Sequence, residues 1–514
     1  MSPLDTKLFR DLWRMRTQAL AIGLVVAVGV MVLVELAEID GVSAVEGRVV
    51  GRALIDVADT DLPVQAQAVS LPDFGVPRLN DVYLASGRWI DRRRSDEILL
   101  LKSFAEAHGL EPGDRLSATM HGSRRSFHIV GLAQSPEFLY TTAPGELVPD
   151  ASRFGVIWLS RSAMEAAYDL DGAVNEVLLS IGREEDLPGV LNAADRILDE
   201  YGAIGSYGLE DQFSNRFLME EINGLRASAA AVPPIFLAVA AFLLNIVFSR
   251  LMQAERQQIG LIKAFGYTDV EVTAHYFKLI LIIAAGGAIL GCLFGLAAGA
   301  SMISIYVEYY KFPFLVFEIS PASFAIALVA SVAAASLGGL FALRQIFALS
   351  PAVAMRPPAP TDYSGSRLVS GLVTRLLDQP TRMVLRRLVR HPGRAVGAVA
   401  GVAAGMALSG GMLTILSGFD KTIETSFSVI DRSDMMVSFI EPLSDRTLHS
   451  LARIEGVIEV EPTRGVAAVL RNGVHDHRGS ITAISPGAEL FRALDASGHE
   501  LTLPSEGIVL TPAL

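Results

Sequence analysis

The sequence predicts an α-helical transmembrane bundle carrying extracytoplasmic α+β domains, built as a tandem repeat of one span-plus-exterior-domain module. Three observations predict it. The 514 residues are 51% hydrophobic, with mean hydropathy +0.41: too apolar for an ordinary soluble protein, too interrupted by charge to lie wholly in lipid. Five apolar stretches, 17–34, 227–248, 279–305, 323–343 and 396–416, are about long enough to cross a bilayer. The chain also repeats itself, with LAEIDGVSAVE at 36–46 and LARIEGVIEVE at 451–461.

Basic residues orient the spans, because cytoplasmic loops hold the excess of Lys and Arg. Lys7, Arg10, Arg14 and Arg16 precede the first span. Arg250, Arg256, Lys263 and Lys278 lie between the second and third, and nine arginines lie between the fourth and fifth. One topology satisfies every loop. Residues 1–16 form a cytoplasmic amphipathic helix, and 249–278 and 344–395 face the cytoplasm. Residues 37–225, 306–322 and 418–514 lie outside. The net charge of −12 is concentrated in 37–225, which describes an acidic aqueous domain rather than a nucleic-acid partner. The N-terminal 34 residues also fit a signal peptide, but an internal counterpart argues against cleavage.

That counterpart is VLRRLVRHPGRA before the fifth span, which matches LFRDLWRMRTQA before the first. Phe9 aligns with Leu385, Arg10 with Arg386, Leu12 with Leu388 and Arg14 with Arg390. Internal self-similarity of this kind marks a repeated unit. Copy 2 holds a stretch that copy 1 lacks, in which DMMVSFIEP reads as a strand, LSDRTLHSLARIEGV as a helix closed by Gly456, and IEVEPTRGVAAVLRNG as the following strands. In copy 1, Pro112-Gly113-Asp114 and His121-Gly122 punctuate alternating apolar residues as hairpin turns do. Phe213, Phe217, Ile222, Leu225 and Ala229 predict a helical stalk entering the second span. Copy 2 stops where copy 1 continues, so the chain reads as truncated at its C-terminal end.

Within the spans, Gly287, Gly291, Gly295 and Gly299, and then Gly397, Gly401 and Gly405, follow small-xxx-small spacing, which predicts helix packing within the bundle. Asn245 predicts a hydrogen bond between helices. No ionisable side chain sits mid-span, which argues against a secondary transporter. Cys292 is the one cysteine and reads as buried filler. His475-Asp476-His477 sits in what reads as a polar turn, with too few ligands for a metal site. Arg92-Arg93-Arg94 reads as a solvated face.

Residues 251–265 place Leu251, Ile259, Ile262 and Phe265 among charges, the pattern of an amphipathic surface helix. Gly266 suits its C-terminal cap, and Thr268 with Glu271 forms a capping box for the next helix. From periodicity alone a membrane-surface helix without a partner is the favoured reading.

The order of one span, a large exterior domain and three further spans resembles the FtsX/MacB-like permease subunits of ABC transporters, which include the lipoprotein-release permeases. Residues 253–272 resemble that family's cytoplasmic coupling segment, at Glu255, Arg256, Ile259, Gly260, Lys263, Ala264 and Gly266, with Leu261 among them. LSPAVAMRP at 349–357 is a second match. The resemblance implies a permease with no catalytic residue and no cofactor of its own. A separate cytosolic ABC ATPase, working as a dimer, would bind the ATP. Indeed no GxxxxGK[ST] loop occurs in the chain. It implies membrane lipids, a periplasmic adaptor or a substrate protein as further partners. It also implies export or extraction of a lipid, lipoprotein, peptide or hydrophobic compound by a mechanical stroke. The alternative it leaves open is a signal-relay scaffold that controls an exterior enzyme such as a cell-wall hydrolase.

Overall fold

The computed structural model describes residues 16–57, 63–91, 93–143, 149–183, 185–314, 317–347, 350, 352, 378, 392–439, 443–472, 475–495, 497–501 and 507–510. The amphipathic helix expected over 1–16, nearly all of the basic segment 344–395, and Arg92 lie outside them. The chain divides into two compact units: Met1–Glu221 with Ile305–Leu315 and Ser426–Leu514, and Ile222–Ser304 with Val316–Thr425.

The first unit begins with helix α1 (Arg16–Ala37), and Gly41, at φ 92°, turns the chain into strand β1 (Val42–Arg48). Seven strands follow in one sheet: β2 (Val50–Asp56), β3 (Val64–Leu71), β4 (Tyr83–Gly87), β5 (Glu97–Leu101), β6 (Arg115–Met120), β7 (Ser123–Gln134) and β8 (Phe154–Ser160), in the order β4-β7-β5-β8-β3-β2-β6. Because β6 also pairs with β7, from Arg115↔His128 to Met120↔Ser123, six strands close into a ring with β4 attached at β7. Closure removes exposed edges. The β6–β7 hairpin turns at His121 and Gly122, with φ 44° and 74°, the two positive values that a type I′ turn requires.

The ring is filled by its own side chains. Every residue of β5 is buried, as are Trp158, Ile157, Ile55, Met120 and Ile129. Phe104, on the short helix α2 (Lys102–Ala107), is also wholly buried. A strand covered on both faces reads as a continuous apolar run, which is why EILLL does not alternate. Helix α3 (Arg161–Tyr168) lies after β8, capped by the Ser160 hydroxyl on the Ala163 amide. A separate two-stranded ribbon joins β1 to β9 (Glu176–Ile181), with Val45 opposite Leu179. Helix α4 (Leu187–Leu198) and the end of α1 pack on this ribbon through Val32, Leu36 and Ala194.

Glu97 at the start of β5 is buried, yet charged partners surround it. Arg88 donates to both of its carboxylate oxygens (2.6 and 2.8 Å), and the Asp91 amide donates a third bond. The Arg88 hydrogen bonds hold its carboxyl below the ordinary range. Arg48 bridges Glu137, at 2.6 and 2.7 Å, and Glu176. Burial opposes its charge, but the two carboxylates outweigh that and raise the guanidinium further.

Copy 2 departs from expectation at its opening. Residues 434–439 form no strand, and helix α5 (Arg446–Leu451) covers only part of the predicted helix. Strand begins only at Thr463, in a hairpin of β10 (Thr463–Asn472) and β11 (His475–Ile484). His475, Asp476 and His477 therefore lie on a strand rather than in a turn. Pro462, just before β10, is the physical reason at one of these positions, since proline cannot donate to a ladder. Two details of copy 1 recur. Gly456, at φ 94°, occupies the place of Gly41. The Glu461 carboxylate accepts from the Glu489 and Leu490 amides (2.6 and 3.0 Å), as Glu46 accepts from Arg78 and Leu79 (2.8 and 3.0 Å).

The second unit is helical. Helix α6 (Phe213–Ala254), which starts in the first unit, is one 42-residue helix through Pro233 and Pro234. It is followed by α7 (Arg256–Ala264), α8 (Asp269–Tyr309), α9 (Pro321–Phe347) and α10 (Pro392–Thr425). Among the described residues, four helical stretches are long and apolar enough to cross a membrane: Phe213–Ala254, Asp269–Tyr309, Pro321–Arg344 and Val396–Ile430. The first predicted span, 17–34, falls on α1, whose described apolar stretch, Ala27–Ala37, is shorter than a crossing.

Candidate coupling site

The coupling segment is a break between two long helices. Helix α6 stops at Ala254, and Glu255 leaves helical geometry at φ −89°, ψ 10°. Residues 251–265 are therefore two helices and not the single one expected. The Tyr276 hydroxyl of α8 donates to the Glu255 carboxylate, so the break has a partner holding it. Helix α7 then runs for nine residues and ends where Gly266 turns left-handed at φ 98°. The chain restarts through the expected capping box: the Thr268 amide donates to Glu271 (2.8 Å), and the Glu271 amide to the Thr268 hydroxyl (3.3 Å). Both orphan donors at the start of α8 are satisfied this way.

One face of α7 is buried. Ile259 and Gly260 point inward, and Ile259 packs in a core with Phe248, Met252, Val272, Tyr276, Ile280, Ala342, Leu343 and Ile346. This core joins α7 to the ends of α6, α8 and α9. Lys263 is also turned inward, with its side chain 6% exposed. Its ammonium donates to the Ile346 carbonyl (2.5 Å) in the last turn of α9 and pairs with Asp269 (2.6 Å). A lysine on the final carbonyls of a helix satisfies acceptors that have no partner within the helix.

The other face is open. Gln257, Gln258, Leu261, Ala264 and Phe265 are exposed, and their spacing puts them on one side of the helix. Phe265, at 76% exposure, does not join the buried stripe expected of it. It follows α7 as its C-cap, and the following left-handed glycine carries the chain away. The predicted coupling residues thus divide. Ile259, Gly260 and Lys263 hold the helix to its bundle, Glu255 is held by Tyr276, and Leu261 and Ala264 face outward.

The predicted glycine stripes behave differently from expectation. A Cβ added at Gly287, Gly291 or Gly295 meets nothing within 4 Å, and one at Gly299 touches only the Phe317 ring at 3.6 Å. Gly397 lies against the Phe242 ring, while Gly401 and Gly405 are open. Among the described residues, intrachain packing therefore does not account for most of these glycines. Close helix approach occurs instead at Gly338, against the backbone of Ala241, and at Gly339, against Ile280. Asn245 makes its expected bond there, donating to the Gly338 carbonyl (3.2 Å). The adjacent glycine pair within an apolar run is the signal that sequence spacing alone passed over.

Residues 230–351 match the family described as FtsX-like permease C-terminal. The match takes in the whole coupling segment and most of the three helices around it. Over these residues the chain resembles FtsX-like permeases, as expected, and with its four long apolar helices it is a membrane protein. No curated protein matches it. Among solved structures, the extracellular domain of the noncanonic ABC-type transporter YknZ from Gram-positive bacteria is similar at 13% identity and a TM-score of 0.24. It covers 34% of this chain and 83% of that one. The periplasmic region of MacB from Actinobacillus actinomycetemcomitans is similar at 11% identity and a TM-score of 0.23, over 34% and 73%. At these values neither likeness bears on function.

Proposed function

We propose that the chain is the membrane-spanning permease subunit of an ABC transporter. A separate cytosolic ATPase, acting as a dimer, binds ATP and docks on the open face of α7. The movement passes through the core around Ile259 into α6, α8 and α9. The exterior domains convert it into a mechanical stroke on a lipid, lipoprotein, peptide or hydrophobic compound, alone or with a periplasmic adaptor. The excess of Lys and Arg in the intervening loops supports a reading with α7 and the N-terminus on the cytoplasmic side of a bacterial inner membrane. The shared Gly41/Gly456 conformation and the matching carboxylate clamps of Glu46 and Glu461 support the tandem-repeat reading.

The observation that carries the proposal is the two-faced α7, locked inward by Ile259 and Lys263 and open outward at Leu261 and Phe265, inside the FtsX-like match. Gly260 is buried, so a bulky residue there would injure the bundle as well as docking. The sharper test is Leu261→Asp with Phe265→Asp. Wild-type protein purified gently from its own cells should bring a stoichiometric ATPase with it. The double variant should insert normally and lose that protein. Retention of the ATPase by the variant would remove this face from the mechanism.

A further inference from the structure

We propose that residues 134–140 form the joint that carries movement of the membrane helices into the exterior barrel, with Tyr140 and Ser214 as its positioning residues. This rests on the coupling reading above and names the residues that would make the far end of it work.

The segment follows directly from β7, the strand that pairs with β4, β5 and β6. Displacing its end therefore displaces the strand with the most partners in the ring. Two membrane helices grip it, both through residues of the first unit. Ser214, on the first turn of α6 and wholly buried, donates to the Glu137 carbonyl (2.7 Å) and lies 3.0 Å from the Tyr140 carbonyl. It also accepts from the Tyr140 amide (3.2 Å). Gln212 adds a second bond to the Glu137 carbonyl (3.1 Å). The segment that ends α8 grips from another side: the Lys311 amide donates to the Leu139 carbonyl (2.8 Å), and Gln134 donates to the Lys311 carbonyl (3.1 Å).

Rings fill the space between. Tyr140 stacks on Phe217 of α6, centroids 4.6 Å apart and 11° from parallel, and meets Tyr310 at 5.6 Å. The Tyr306 hydroxyl of α8 donates to Glu221 of α6 (2.5 Å), tying the two helices to each other. The Glu137 side chain continues the connection to Arg48 at the end of β1. Seven residues thus join the ring, the β1–β9 ribbon, the start of α6 and the end of α8. These are the two helices whose other ends flank α7. A buried network whose members bond to one another across four elements transmits displacement because it has few cheap alternative arrangements.

The test uses the full-length protein in lipid nanodiscs with its co-purified ATPase, comparing amide exchange with ADP and with ATP plus vanadate. In wild type, exchange over 134–140 and over β7 should differ between the two nucleotide states. In Tyr140→Ala with Ser214→Ala, ATP turnover should persist and β5 should keep native protection, while the nucleotide response of β7 is lost. Tyr140→Phe, which keeps the ring stack, should restore it. A double variant with the full wild-type response would overturn the joint and leave the coupling reading standing. A wild type with no exterior response to nucleotide would overturn both. Should the double variant fail to fold, Gln134→Ala serves instead: a weakened response is expected, and an unchanged one overturns the joint.

Discussion

The β-barrel and the helical unit solve opposite packing problems. In the barrel, water selects the interior, and Trp158, Phe104 and all of β5 are buried together. In the helical unit, large apolar residues such as Phe294, Leu337 and Phe236 are exposed, because lipid is as apolar as they are and does not drive them inward. Among its described residues the buried cluster of large side chains lies at the end around α7, and close approach elsewhere involves glycines and the Asn245 bond. Hydrophobicity therefore identifies the core of the first unit and only the membrane location of the second.

This contrast can be broken or sharpened by substitution. The largest effect belongs to the barrel: Trp158→Ala should destabilise it by about 3–5 kcal/mol, read as lost exchange protection across β5 and β8. Arg48→Met leaves the carboxylates of Glu137 and Glu176 without their shared cation, so removing one partner of this buried cluster should cost on a similar scale, about 3–5 kcal/mol. In the helical unit, Gly338→Leu forces a side chain onto the Ala241 backbone, and should lower thermal stability in detergent by about 1–3 kcal/mol.

A smaller effect is the response to acid. The Glu97 carboxyl is depressed by Arg88, so its contribution is present above its ordinary value of 4.5 and is lost as pH falls through the depressed one. Glu97→Gln should abolish that part of the acid sensitivity, measured as barrel protection against pH. The smallest is Gly291→Leu, which meets open space and should leave the stability of the isolated chain unchanged. Loss of stability there would show an intrachain contact that the glycine does not make.

Local chemistry was legible where neighbours in sequence are neighbours in space. The His121-Gly122 hairpin, the Thr268–Glu271 capping box and the Gly266 stop all act within a few residues, and all are present. The Tyr140 joint was not legible, because Gln134, Ser214 and Lys311 meet only after the ring and both helices have formed. The closest-packed glycines, Gly338 and Gly339, were not legible for a different reason. Small residues recur through every span, and spacing does not say which face meets another helix. Lys263 is legible as a coupling-segment residue, but its inward turn to Ile346 and Asp269 depends on α9 and is not.

The most direct test of the coupling claim is a cross-link in native membranes. Leu261→Cys, in a Cys292→Ser background, places one thiol on the open face of α7, whereas a thiol at Lys263 would be buried. A bifunctional reagent should join this position to a cytosolic protein bearing a phosphate-binding GxxxxGK[ST] loop, with the yield changing between ADP and ATP plus vanadate. If Leu261→Cys captures no such protein while the chain is inserted and folded, α7 is a membrane-surface helix without an ATPase, and the permease mechanism proposed above is wrong.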